Sequence, residues 1–273
     1  MKIAIVGHVE HVTIGRVPAL PGAGSIAHLQ SPFWIPGGGG GITFYQLLRS
    51  PAEVHIFTAL GDDAGGDEIA ARLAATRAKV HAARRAEPHT RDLVMITPDG
   101  ERTIVVVGEP QHPTASDDLP WDLLSGFDAV YFTAQDPAAI ALARKARVLV
   151  ITARRRPSLV QAGVRADIVL GSKADPREAS AMADYPVAPG ALVMTEGKAG
   201  GSVTTADGTA RFPAPPSAPS GGGAYGAGDS FAGALVYYLA AGLPVVEACT
   251  RAGPHGAAVL ASFNPLESQL ELR

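Results

Sequence analysis

Short apolar runs rich in β-branched residues recur at 2–6, 54–59, 92–97, 103–107, 129–133, 148–152, 168–171, 192–195 and 201–205, and each predicts a strand. Between them, apolar positions return with a helical period at 42–49, 67–77, 137–145, 176–183, 230–241 and 244–261. From 129 to 195 the order is strand, helix, strand, helix, strand, helix, strand. That order predicts a mostly parallel sheet with helices on both faces. In such sheets ligands bind outside the carboxyl ends of the strands, so the loops there carry the chemistry.

Two regions break the alternation. Residues 90–107 read as a hairpin turning at Pro98-Asp99-Gly100. Residues 10–35 hold no good helix, and their Pro and Gly content predicts extended segments. Both are expected to form a small β appendage, with lid segments near 10–35 and 80–110. No internal repeat or linker divides 1–273, so one α/β domain is expected.

Composition narrows the class. The chain has 273 residues, 47% hydrophobic and 18% charged, which is enough to bury a substantial core. Net charge is −3 and no dense Lys/Arg stripe interleaves with aromatics, which argues against nucleic-acid and anionic-membrane partners. No run of eighteen apolar residues predicts a membrane span. The apolar run at Met1–Gly7 is too short for a signal peptide. A single cysteine, Cys249, excludes an internal disulfide framework and a Cys-based zinc site, and predicts a reducing, cytoplasmic setting. In His8-Val9-Glu10-His11 the two imidazoles fall on opposite faces of a strand, so no metal site is expected there.

The most informative stretch is Gly221-Gly222-Gly223-Ala224-Tyr225-Gly226-Ala227-Gly228-Asp229-Ser230-Phe231. A glycine loop runs straight into a helix that is apolar nearly all round and therefore buried. Its N-terminal amides and dipole form an anion site, and small residues let a phosphate approach the backbone. A carboxylate at Asp229 would repel a merely bound anion. It makes sense as a base that takes a proton from a hydroxyl attacking phosphorus. The alternative is that Asp229 only caps the helix.

The stretch from Gly226 to Phe231 resembles the C-terminal signature of the PfkB/ribokinase kinases, D-T-x-G-A-G-D-x-F. Gly61-Asp62-Asp63-Ala64-Gly65-Gly66 looks like that family's G-D-D-x-x-G, and Gly100-Glu101-Arg102-Thr103 like its lid hairpin. Thr195-Glu196-Gly197-Lys198-Ala199-Gly200 is similar to its T-x-G-x-x-G nucleotide loop, and Pro36-Gly37-Gly38-Gly39 sits at its P-G-G turn. Five matches in order cover nearly the whole chain.

The resemblance implies a three-layer α/β/α ribokinase-like fold with a mostly parallel central sheet and a small β lid, through which a homodimer would form. It implies transfer of the γ-phosphoryl of ATP, with Mg²⁺, to a hydroxyl of a small metabolite such as a sugar or polyol. Asp229 would be the base, and the amides around Gly226, Ala227 and Gly228 the anion hole. Thr195, Gly197 and Gly200 would line the nucleotide. His255 would sit beside adenine, or else be a satisfied helix-surface histidine. Arg156, in an R-P-x-L loop, would reach a phosphate, while Arg154 and Arg155 read as a solvated charge run. Gly37, Gly38 and Gly39 would face the acceptor.

Several positions depart from the family pattern. The first signature Asp falls at Gly223, which puts potassium activation in doubt. The N-x-x-E that organises Mg²⁺ appears as Ser172 and Asp175, oxygen ligands that would act through water; Asp175 also reads as a cap. The sugar-binding Asn and Asp fall at Glu10 and Val12, the Asn of the glycine turn at Ile42, and a sugar-contacting Glu at Gln135. Glu10 is read as the acceptor anchor and Val12 as packing its carbon frame; the other reading leaves Glu10 exposed on an open lid. A nucleoside or sugar-acid kinase, or a non-catalytic metabolite sensor, fits the same fold. A dinucleotide-binding oxidoreductase fits poorly, because no G-x-G-x-x-G follows Gly7.

Overall fold

The computed structural model describes residues 1–215 and 221–273. The chain opens with β1 (Lys2–Val6), β2 (Glu10–Arg16) and β3 (Gln30–Gly37), then α1 (Gly38–Leu48), β4 (Glu53–Gly61) and α2 (Ala64–Ala74). Next come β5 (Lys79–Arg85), β6 (Arg91–Ile96), β7 (Arg102–Val107), β8 (Ala129–Phe132), α3 (Pro137–Ala143) and β9 (Leu149–Thr152). They are followed by α4 (Arg156–Ala162), β10 (Ile168–Ser172), β11 (Ala191–Thr195), β12 (Gly201–Thr205) and β13 (Gly208–Phe212). Three helices close the chain: α5 (Ala227–Ala240), α6 (Val245–Ala258) and α7 (Pro265–Ser268).

Nine strands form the main sheet in the order β13-β12-β11-β10-β9-β8-β1-β4-β5. Every pairing from β11 to β5 is parallel, and β12 and β13 add an antiparallel edge. Alternation along β1 explains the three layers. Ile3 and Ile5 pack with α1, α5 and α6, while Ala4 and Val6 pack on the other face with α3, Trp121 and Phe127. The expected three-layer α/β/α arrangement is therefore present, built from strands apolar on both faces.

The lid is a separate four-stranded sheet, β3-β2-β6-β7. The β6–β7 pair is the expected hairpin, antiparallel with Ile96 opposite Arg102. Val12, Ile14, Ile35, Val94 and Ile96 on its inner face meet Ile42 and Tyr225 in a third core. Residues 80–85, placed by sequence within the lid near 80–110, instead belong to β5 of the main sheet, which pairs in parallel with β4.

The helix expected at 176–183 does not form. Asp175 accepts the Arg177 amide, and Arg154 bridges Asp175 and Glu178 at 2.6 and 2.8 Å, so ion pairs hold that segment in turns. A single 3₁₀ turn follows at Met182–Asp184. Residues 269–272 return across α1. Gln46 donates to the Leu270 carbonyl at 2.8 Å and Gln269 to the Ile42 carbonyl at 3.0 Å, while the Leu272 amide donates to Arg49 O at 2.8 Å.

Candidate active site

The site forms where the glycine turn entering α1, the lid and the N-terminus of α5 converge. Gly38 has φ +73°, a conformation open to glycine, and a β-carbon there would fall 2.8 Å from Glu10 Oε2. Its amide donates to Tyr225 Oη at 3.0 Å, the Gly39 amide to His8 Nε2 at 3.3 Å, and the Gly40 amide to the His8 carbonyl at 3.1 Å. The turn is thereby stitched both to the end of β1 and to the loop before α5.

At the other wall, Gly226 opens α5 with φ +84° and no side-chain cap. Asp229 lies in the first turn of α5, at its third residue. A β-carbon at Gly39 would lie 3.4 Å from Asp229 Oδ1 and 3.2 Å from Thr133 Oγ1, so Gly39, Asp229 and the end of β8 bound one cleft. Thr43 on α1 donates to the Asp229 carbonyl at 3.1 Å and ties the two helices together. Burial pushes the Asp229 carboxyl up to about 6; nearby Glu178 adds to this, and Arg154 and Arg102 pull it back. Such a carboxylate is ionised at neutral pH yet basic enough to accept a proton.

Glu10 is buried, only 6% exposed, which removes the reading of a solvent-facing residue on an open lid. Burial raises its carboxyl far above the usual range, reinforced by a hydrogen bond to Asp92 and by the Asp92 and Asp229 charges. His8, whose Nε2 stands 3.7 Å from Glu10 Oε1, is held neutral: burial, then Arg155 and Arg154, lower it to about 3. Its ring meets the His112 ring edge to face at 4.9 Å.

Several expected contacts move. Val12 and Ile42 have no exposed surface and belong to the lid core, so they support the cleft from beneath instead of lining it. Gln135 is solvent-exposed beyond β8, and Thr133 takes the place facing Gly39. Arg155 is not a solvated charge. It donates through Nε to the Thr133 carbonyl at 2.8 Å and lies 3.4 Å from His112 Nε2, with burial and Arg154 lowering it to about 10. Arg154, too, is engaged by Asp175 and Glu178. Arg156 instead pairs with Asp184 at 3.2 Å on the surface. His255 is 4% exposed and turned toward Tyr238, 3.3 Å from its hydroxyl, so it packs between α5 and α6 instead of lying on a helix surface.

At the strand ends farther along the sheet, Thr195 donates to the Gly171 carbonyl at 3.3 Å. Gly197 and Gly200 adopt φ of +56° and +79° in the turn into β12. Ser172 accepts the Ala174 amide, and its own amide donates to Glu178. Sequence reasoning missed Asp92, His112, Thr133, Arg155 and Glu178. Of these only Arg155 carried a visible signal, its place just past the end of a strand.

The family profile described as pfkB family carbohydrate kinase matches residues 165–271. No curated protein is similar enough to the sequence to count as a match. Among solved structures, a ribokinase from Thermotoga maritima superposes with TM-score 0.80 at 15% identity, covering 99% of this chain and 96% of its own. A putative ribokinase from Agrobacterium tumefaciens gives 0.80 at 20% identity, covering 98% and 94%. Arabidopsis thaliana ribokinase complexed with ribose and ATP gives 0.76 at 16%, covering 99% and 96%. These identities speak for the fold, while the profile match takes in β10, the nucleotide-type loop and the 226–229 motif. The chain thus combines a pfkB family carbohydrate kinase match over residues 165–271 with a ribokinase-like fold over nearly its whole length.

Proposed function

We propose that the protein transfers the γ-phosphoryl group of ATP to a hydroxyl of a small sugar or polyol, with the whole chain acting as one kinase unit. The observation that carries this reading is Asp229 facing the glycine turn across the cleft, at the N-terminus of a buried fourteen-residue helix. The acceptor hydroxyl lies between Gly39 and Asp229, gives its proton to the Asp229 carboxylate and attacks the phosphorus. The first-turn amides at 227–229, backed by the helix dipole, stabilise the charge on the transferring phosphoryl. ATP lies along Thr195, Gly197 and Gly200.

Mg²⁺ neutralises phosphate charge when bound. Ser172, Asp175 and Glu178 offer hard oxygen donors that fit it. Arg154 already engages both carboxylates, so they would hold the ion through water. Adenine contact by His255 and phosphate contact by Arg156 draw no support from where these side chains lie.

No described helix is long and apolar enough to cross a membrane. On β7 the edge strand exposes Ile104, Val105, Val106 and Val107, and we assign it to pairing with a second copy of the chain. A sugar-acid acceptor is the second reading, favoured by the Arg155 guanidinium inside the cleft. Measuring ADP release against a panel of sugars, polyols, nucleosides and sugar acids tests the assignment. Release that depends on an acceptor and is lost in Asp229→Asn is the expected result; no acceptor dependence with any compound would overturn it.

A further inference from the structure

Glu10 and Asp92 sit on adjacent strands of the lid's inner face, where β2 and β6 run parallel with Val12 opposite Asp92. Both are 6% exposed. Neither makes an ion pair with a Lys or Arg among the described residues; the neutral His8 ring stands beside Glu10, and Arg155 acts on Glu10 only through its charge. Asp92 Oδ1 is buried and receives no hydrogen bond among the described residues. Two buried carboxylates in contact without an ion-pair partner repel each other, and an oxygen without a donor is costly. One proton held by the pair removes both penalties. Glu10 Oε2 lies against the glycine turn, where a β-carbon on Gly38 would come within 2.8 Å, and Oε1 stands 3.7 Å from His8 Nε2.

We propose that Glu10 and Asp92 share one proton and form the specificity element of the acceptor site, binding a hydroxyl of an uncharged polyol and refusing anionic acceptors. This rests on the kinase reading above and deepens it. The pair carries a single negative charge, and the Asp229 carboxylate faces the same cleft. A phosphate or carboxylate on the acceptor meets both, while a neutral hydroxyl donates to a Glu10 oxygen without displacing the shared proton. Buried His112, beside His8, has an Nδ1 without a hydrogen-bond partner among the described residues, a further polar atom for a hydroxyl-rich ligand. The groups facing Glu10 are His8 from the end of β1, Asp92 from β6, Tyr225 from the loop before α5, Asp229 from α5 and Arg155 from the β9–α4 junction. The glycine turn and β3 contribute no charge. Arg155 is the sole cation in this set, and it offsets one of the two negative charges.

The test is a ¹³C NMR titration of the full chain labelled at its Glu and Asp carboxyls, with Glu10→Gln and Asp92→Asn assigning the two resonances. The pair is expected to keep one proton through neutral pH and release it only near pH about 9. Titration of both below pH about 5, as ordinary carboxylates, overturns the proposal. Adding an uncharged pentose, hexose or nucleoside should then shift the Glu10 resonance, with at least tenfold weaker response to the matching phosphate esters and aldonic acids. A stronger response to the anionic compounds, or none to any, also overturns it. ADP release is followed separately. Its absence with every acceptor counts against the kinase reading and leaves the titration and the shift comparison standing.

Discussion

Tyr225 places its hydroxyl 3.0 Å from the Gly38 amide and so joins the loop that leads into the Asp229 helix to the turn on the opposite wall of the cleft. The two residues are 187 positions apart. Removing the hydroxyl leaves a buried amide unpaired, at a cost of about 1–3 kcal/mol. Tyr225→Phe should therefore lower Tm and raise acceptor KM, with ATP KM little changed; chemical denaturation and initial rates check both.

Asp229→Asn should lower kcat by roughly 10²–10⁴ while leaving ATP affinity nearly intact. The wild-type pH profile gives an independent check. A base must be deprotonated to act, and Asp229 is pushed up to about 6. kcat/KM should rise with pH through that value, falling about tenfold per unit below it, and level off above. An acid limb near pH 4 would remove Asp229 from the base role.

Glu10 makes stability depend on pH in the opposite sense to a salt-bridged carboxylate. Its folded-state value is raised above the unfolded one, so the native state keeps a proton that the unfolded chain has lost. Stability should fall as pH rises from the ordinary carboxylate range toward the raised value. Glu10→Gln removes that term, and it should gain about 1–3 kcal/mol over wild type at pH 8–9, with no gain at pH 4. Thermal melts across that range decide it.

Chelation of Mg²⁺ should abolish turnover, because the phosphate charge of ATP must be neutralised during transfer. Replacing K⁺ by Na⁺ at fixed ionic strength should change kcat by less than about twofold. The position of the family's first signature carboxylate is Gly223, where a β-carbon would fall 2.6 Å from Ile96 Cδ1. The lid core has taken the room that a side chain there would need.

The parallel sheet was legible because its strands are apolar on both faces and alternate with helical patterns from 129 to 195. Asp229 was legible because glycine loop, carboxylate and buried helix are contiguous in sequence. The acceptor side was not. Glu10 meets Asp92 only through the β2–β6 pairing, and Thr133, His112 and Arg155 come from three separate connections. A two-residue offset at the end of β8 exchanged Gln135 for Thr133. At 176–183 helical spacing was present, yet Arg154, remote in sequence, captured Asp175 and Glu178 and prevented the helix.

The tie between residues 269–272 and α1 is made only late in synthesis. Gln269 and its acceptor at Ile42 are 227 residues apart. At about 5–20 residues per second, synthesis separates them by on the order of ten to fifty seconds. Through that interval the carbonyls of Ile42 and Arg49 wait for Gln269 and Leu272. The nascent chain can therefore carry a largely assembled sheet while its cleft is still loose. A chain stalled or trimmed before Gln269 should keep its far-ultraviolet circular dichroism and lose its grip on the acceptor.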